Sequence, residues 1–161
     1  MTNNDILRRL RYALDISNPG MIEIFKISGC NIEQPTLIKF LKKEDEDDYI
    51  ECSNPLMTFF LDGLIVQKRG KRETAEGQAV KPGAELTNNT ILKKLRIALD
   101  FKEEDMIATM KLADIVLSKS ELSALFRNKG HKNFKECGDQ FLRNFLKGLT
   151  IRYRNTNPLE D

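Results

Sequence analysis

Few residues in this chain could do chemistry, and each has a plainer structural explanation beside it. His131 is the only histidine. Histidine titrates near neutrality and a cysteine needs a neighbouring base to become a thiolate, so His131 beside Cys137 or Asp139 would make a general-base arrangement. Its companions Lys129, Gly130 and Lys132 have the composition of a solvated loop, which predicts a histidine that faces water or caps a helix. Glu51-Cys52 and Glu136-Cys137 offer a carboxylate and a thiol, a catalytic or metal-binding pair in principle. Adjacent residues seldom face one site, and cysteine is among the most buried residue types. The sequence therefore predicts core thiols, with the glutamates paired to Arg11 and Arg96 or to Arg69 and Arg154. The run Glu44-Asp45-Glu46-Asp47-Asp48 could attract a divalent cation, but an EF-hand loop needs glycine at its sixth position, and counting from Asp45 finds Ile50 there. With no Ser-His-Asp order, no GxGxxG and no P-loop, the expectation is a protein with no catalytic residue, no cofactor and no metal ligand.

Charge points to binding. Basic clusters occur at Arg8-Arg9-Arg11, Lys93-Lys94-Arg96 and Lys68-Arg69-Gly70-Lys71-Arg72, the residue types that neutralise phosphate. Phe25 to Ile38 and Met110 to Ser123 have apolar offsets like those of a helix-turn-helix. Against that reading, Phe25 and Met110 stand where a small side chain is usual, Pro35 lies in the first turn of the would-be recognition helix, and an acidic run follows. The formal charge of +2 conceals an asymmetry. Residues 1–70 carry 9 basic and 11 acidic groups, residues 87–161 carry 14 and 10, and the acidic run at 44–48 corresponds to Lys129-Gly130-His131-Lys132-Asn133.

That correspondence exists because the chain of 161 residues is one sequence used twice. Thr2-Asn3-Asn4 and the helix after it return 85 positions later as Thr87-Asn88-Asn89, and the register holds without a gap through Met21/Met106, Glu51-Cys52/Glu136-Cys137, Gly63/Gly148 and Arg69/Arg154. An ungapped internal match of this length marks a duplicated structural unit. It predicts a first helical repeat over 1–70, a linker over 71–86 poor in large apolar residues, a second repeat over 87–155, and a frayed polar tail over 156–161.

Each repeat reads as four short helices, so the fold class is all-α, two similar four-helix units related by a pseudo-twofold. Ile6, Leu7, Leu10, Ala13 and Leu14 recur at the spacing of one helical face, with Asn3 or Asn4 positioned to cap it. Asn18-Pro19, Gln34-Pro35 and Asn54-Pro55 place proline at helix starts. Arg11/Arg96 and Asp15/Asp100 stand four apart, an i,i+4 ion pair. Gly63/Gly148 lies inside the fourth helix, where glycine costs about 1 kcal/mol, and predicts close approach of another backbone. The only strand-like run is Ile115-Val116-Leu117. No stretch is apolar enough to cross a bilayer. The N-terminus has no secretory pattern, and three cysteines at spacings without a redox or zinc motif fit a reducing compartment, so a cytoplasmic location is expected.

The start Asn88-Asn89-x-Ile91-Leu92-Lys93-Lys94-Leu95-Arg96-Ile97-Ala98, the run His131 to Arg143, and Leu41 to Glu46 with Gly63-Leu64-Ile65 resemble the bacterial YehS family, small proteins built from two copies of a domain of unknown function. The resemblance implies a tandem-repeat helical protein and brings no activity with it. The functional expectation therefore comes from the residues: a non-enzymatic module that binds a protein partner or a second copy of itself through the unlike loops, Glu44, Asp45, Glu46, Asp47 and Asp48 against Lys129, His131 and Lys132, with Lys93 and Lys94 nearby. Nucleic-acid binding is the alternative, and a small-molecule enzyme the third.

Overall fold

The computed structural model describes residues 1–70 and 85–155. Most of the expected linker and the whole tail lie outside the described residues. Among the described residues eight helices form: α1 (Asn3–Ala13), α2 (Asn18–Ile27), α3 (Gln34–Phe40), α4 (Asn54–Arg69), α5 (Asn88–Leu99), α6 (Glu103–Leu112), α7 (Lys119–Leu125) and α8 (Asp139–Arg154). There is no strand among the described residues; Ile115 to Leu117 connects α6 to α7, with Val116 fully in solvent.

The proline-marked starts hold. Ser17 and Ser53 accept a backbone N–H from Gly20 and Leu56, ahead of Pro19 and Pro55. The first cap is shifted by one residue: Thr2 and Thr87, not the asparagines, accept the N–H of Asp5 and Thr90. That frees Asn3 and Asn88 for longer reach. Asn3 Nδ2 donates to Cys52 O at 3.0 Å and Asn54 Oδ1 at 2.9 Å, and Asn88 Nδ2 donates to Cys137 O at 3.1 Å and Asp139 Oδ1 at 2.7 Å. Each bond joins the start of one long helix to the start of another.

Within a repeat, α2 lies across α4 and α6 across α8. The helix-interior glycines allow it. A Cβ on Gly63 would stand 1.9 Å from Ile24 O, and one on Gly148 2.1 Å from Thr109 O, distances at which no side chain fits. The seven-residue α3 and α7 close the other side of α2 and α6.

The two repeats share one core. Helix α1 packs on α8 and α4 packs on α5, while α1 touches α4 and α5 touches α8, so the four make a ring. End contacts fix their sense. At one end Met1 N meets Asp139 at 2.9 Å and the Asn3 and Asn88 bonds join the remaining starts; at the other, Arg154 meets Asp15 at 3.2 Å and Arg69 meets Asp100. All four helices therefore run parallel, about an axis that exchanges α1 with α5 and α4 with α8. Ile6, Leu7, Leu10, Phe60, Leu64, Leu92, Leu95, Phe145 and Leu149 are almost wholly buried in one cluster that spans both repeats, each contributing about 1.5 to 3 kcal/mol by burial.

The expected i,i+4 pairing of Arg11 with Asp15, and of Arg96 with Asp100, is not what forms. Asp15 and Asp100 have φ of 51° and 57°, so both have left the helix and their carboxylates turn to the other repeat, to Arg154 and Arg69. Arg11 Nε donates to Asn18 Oδ1 at 3.1 Å and Arg96 Nε to Phe101 O at 3.1 Å. Lys94, expected on an exposed basic cluster, is only 7% exposed and forms an ion pair with Asp62 across the α4–α5 contact.

That pair is asymmetric, because Asp62 keeps a third of its side chain in solvent while Lys94 keeps a tenth. Asp62→Asn strands a buried ammonium, and Lys94→Met leaves a carboxylate that water can reach. Chemical denaturation should show D62N losing more stability than K94M, by about 1 kcal/mol or more; equal losses would mean that the ammonium is as well solvated as the carboxylate.

Candidate functional site

One asparagine in each repeat positions the loop that carries the charge. Asn4, 1% exposed, donates to Phe40 O at 2.9 Å and Ile50 O at 2.8 Å, and its Oδ1 accepts the Cys52 N–H at 2.9 Å. Asn89 repeats this with Leu125 O and Lys135 O, both at 2.9 Å, and the Cys137 N–H at 2.8 Å. Both ends of the segment between the third and fourth helices are thereby tied to the start of α1 or α5. Since α1 and α5 are parallel, residues 41–51 and 126–136 leave the bundle at the same end, on opposite sides of the pseudo-twofold axis.

In the first loop Lys43 N–H donates to Glu46 Oε1 at 3.1 Å, Lys42 Nζ donates to Asp47 O at 2.8 Å, and Asp48 has φ of 66°. Glu44, Asp45, Glu46, Asp47 and Asp48 are all exposed. In the second, Lys129, His131 and Lys132 are exposed; His131 Nδ1 accepts the Asn133 N–H at 3.0 Å, and Lys129 lies 3.8 Å from Glu85. The histidine is thus held by its own loop. No ion pair among the described residues joins the acidic loop to the basic one.

Glu51 and Glu136 depart from expectation. Both are exposed, and the arginines assigned to them are taken by Asp15, Asp100, Asn18 and a backbone carbonyl. Cys52 and Cys137 are buried as expected. Burial pushes both thiols up to about 12, which removes the thiolate that nucleophilic or metal chemistry would need. Among the described residues, no group of three or more histidine, cysteine or acidic side chains is placed to hold a metal ion.

Two clefts that the sequence did not suggest flank α5. One of about 520 Å³ lies between the start of α5 and residues 125–136, with Lys93, Arg127 and Lys129 around Phe126 and Phe134. The other, about 350 Å³, shares Lys93 and Phe126 with the first and extends to Arg69 and Arg96. Arg96 sits over the Phe126 ring, 4.8 Å from its centroid. The signal that could have marked this face is the exchange of Asp5 for Thr90. Arg8 is bonded to Asp5 at 2.8 Å, whereas Lys93, its counterpart, has no carboxylate partner among the described residues.

The helix-turn-helix geometry is not formed. Residues 28–33 and 113–118 connect the helices concerned, longer than the three or four residues of that motif, and the following helix has only seven residues.

The family described as a protein of unknown function, DUF1456, matches residues 3–70 and again 88–155. The chain belongs to the DUF1456 family. It is 41% identical over 152 residues to the Uncharacterized protein YehS of Escherichia coli (strain K12), covering 94% of this chain and 96% of that protein. No solved structure matches. Each DUF1456 copy thus coincides with one set of four helices, and the Asn-Asn start of each copy bonds the backbone of Cys52 or Cys137 in its loop clamp. No helix among the described residues is long and apolar enough to cross a membrane.

The clamp and the thiols give two expected outcomes. Asn4→Ala leaves two carbonyls and an N–H without their partner in or near the core, at about 1 to 3 kcal/mol each; thermal melting should show a loss of several kcal/mol, and a loss below 1 kcal/mol would show that water replaces the side chain. Cys52 and Cys137 should react with a thiol reagent at neutral pH only after denaturation, so native-state labelling at either position as fast as in the unfolded chain would contradict their burial.

Proposed function

We propose that this DUF1456 protein is a non-enzymatic module of the cytoplasm that binds a protein partner through the end of the bundle where its two loops emerge. The observation that carries this reading is the placement of five exposed acidic residues, 44–48, and the exposed cations Lys129 and Lys132 at one end, on opposite sides of one axis. A surface divided in this way favours a partner with the reverse division, because complementary charge steers encounter and fixes orientation more than it adds affinity. A second copy turned end over end presents such a surface, and so does an unrelated protein with paired basic and acidic patches. The buried, high-pKa thiols and the loop-bound His131 agree with a binding role over a catalytic one.

Neutralising the acidic loop, with Glu44, Asp45, Glu46, Asp47 and Asp48 changed to their amides, tests the reading. Sedimentation velocity and affinity capture from the native host should give a salt-sensitive complex, either a dimer or a defined hetero-complex, that weakens at least tenfold in the amide variant. An intact chain that remains monomeric and captures nothing dependent on residues 44–48 would overturn the proposal.

A further inference from the structure

We infer that the paired clefts along α5 form a groove for single-stranded nucleic acid. The argument rests on the difference between two copies of one scaffold. Five cations line the two clefts, Arg69, Lys93, Arg96, Arg127 and Lys129, against three carboxylates, Glu85, Asp100 and Glu136. At the matching positions of the other copy the cations are Arg154, Arg8, Arg11, Lys42 and Lys43, the last in place of Asn128, and the carboxylates are Asp5, Asp15, Glu44 and Glu51. Both faces are net positive, and they differ by one carboxylate: the first copy pairs Arg8 with Asp5, and the second keeps Lys93 without that acid. Two acids of the second copy's face are already engaged, Glu85 near Lys129 and Asp100 with Arg69.

The exchange of Asp5 for Thr90 matters most. In the first copy the Asp5 carboxylate accepts from Arg8 at 2.8 Å and from the Thr2 N–H at 3.2 Å, an internal anion held by a cation one turn further on. In the second copy the carboxylate is gone and the cation remains: Lys93 is exposed at the junction of the two clefts. A phosphate oxygen is the external anion that suits Lys93 and Arg127 together.

The walls narrow the ligand further. Phe126 replaces Leu41 and Phe134 replaces Tyr49, so the second copy gains a ring at the junction. Cations that track a backbone and aromatic faces that accept any base are the two parts of sequence-tolerant single-strand recognition. Both clefts are lined by Lys93 and Phe126, so together they follow α5, whose twelve residues measure about 18 Å at the helical rise. That length suits a few consecutive nucleotides better than one.

The site is separate from the acidic loop, so its test is separate as well. Anisotropy of a labelled twelve-nucleotide single strand of mixed sequence, as RNA and as DNA, is read with the full chain across a salt series. Lys93→Gln with Arg127→Gln should weaken binding at least tenfold and reduce the salt slope by roughly 0.7 for each phosphate no longer neutralised. Phe126→Leu, which installs the first copy's own residue, should weaken it about fivefold. Lys26→Gln with Lys111→Gln, an equal loss of exposed charge on α2 and α6, should change it less than twofold, as should amides at 44–48. Absence of binding at low salt, equal losses in the two charge pairs, or a free mononucleotide that competes as strongly as the strand would each overturn the groove. Failure of the protein-partner proposal would leave these results untouched.

Discussion

The structure depends on the reciprocal packing of α1 on α8 and α4 on α5. Neither repeat closes its own core on that side: the apolar faces of α1 and α4 are completed by helices from the other copy, and the ring of four encloses a cluster to which both contribute. The parallel sense has an electrostatic cost, since aligned helices bring like partial charges together at each end. Side chains offset it at both ends. Asp139 stands at the starts, where hydrogen bonds from Asn88 and the chain's own N-terminus hold its carboxyl below the usual range. Asp5 stands there too; its partial burial opposes ionisation, and bonds from Thr2 and Arg8 outweigh that and bring its carboxyl below the usual range. Arg11, Arg69, Arg96 and Arg154 occupy the last turns, where cations are favoured.

The same parallel sense determines where variable chemistry can appear. Each loop between the third and fourth helix is fixed at both ends by one asparagine, buried at Asn4 and half-buried at Asn89, so its interior can change while its anchoring carbonyls stay in place. The acidic 44–48 and the basic segment around His131 are two fillings of one frame. Along α5 the exchange is finer: a carboxylate becomes a hydroxyl at Thr90, and Lys93 loses the partner that Arg8 keeps. Our proposed surfaces lie in such departures from symmetry, whereas the identical pairs Asn4/Asn89 and Gly63/Gly148 serve the clamp and the close helix approach.

Most of the architecture was legible in the sequence. Proline after a polar cap marked the starts of α2, α3 and α4, and apolar residues at three and four spacing gave their buried faces. A glycine inside a helix correctly announced a backbone contact at 63 and 148. The misreadings share a physical cause. Asn3 and Asn4 have the composition of a cap, but Thr2 does that work, and the bonds of Asn4 reach 36 to 48 residues along the chain. The Arg11–Asp15 spacing suits a helix only while Asp15 is helical, and its left-handed φ removes it. Of the arginines expected for Glu51 and Glu136, Arg69 and Arg154 meet the other repeat's aspartates, and Arg11 and Arg96 bond Asn18 and the Phe101 carbonyl. Local spacing could not reveal a partner in the other copy, and the clefts, made from three separated segments, left only the Asp5/Thr90 contrast as a trace.

The ion pair of Asp62 with Lys94 bears on how such a chain could have arisen. By the internal register, Lys94 corresponds to Arg9 and Asp62 to Lys147. A single ancestral unit pairing with itself would use one residue pair twice. Here two copies of the second unit, joined as the two repeats are joined, would set a nearly buried ammonium beside Lys147 with no carboxylate to receive it. Its partner acid now exists only on the other half. The two halves are thus no longer interchangeable at this contact: the second carries a nearly buried ammonium, and the carboxylate that receives it stands on the first.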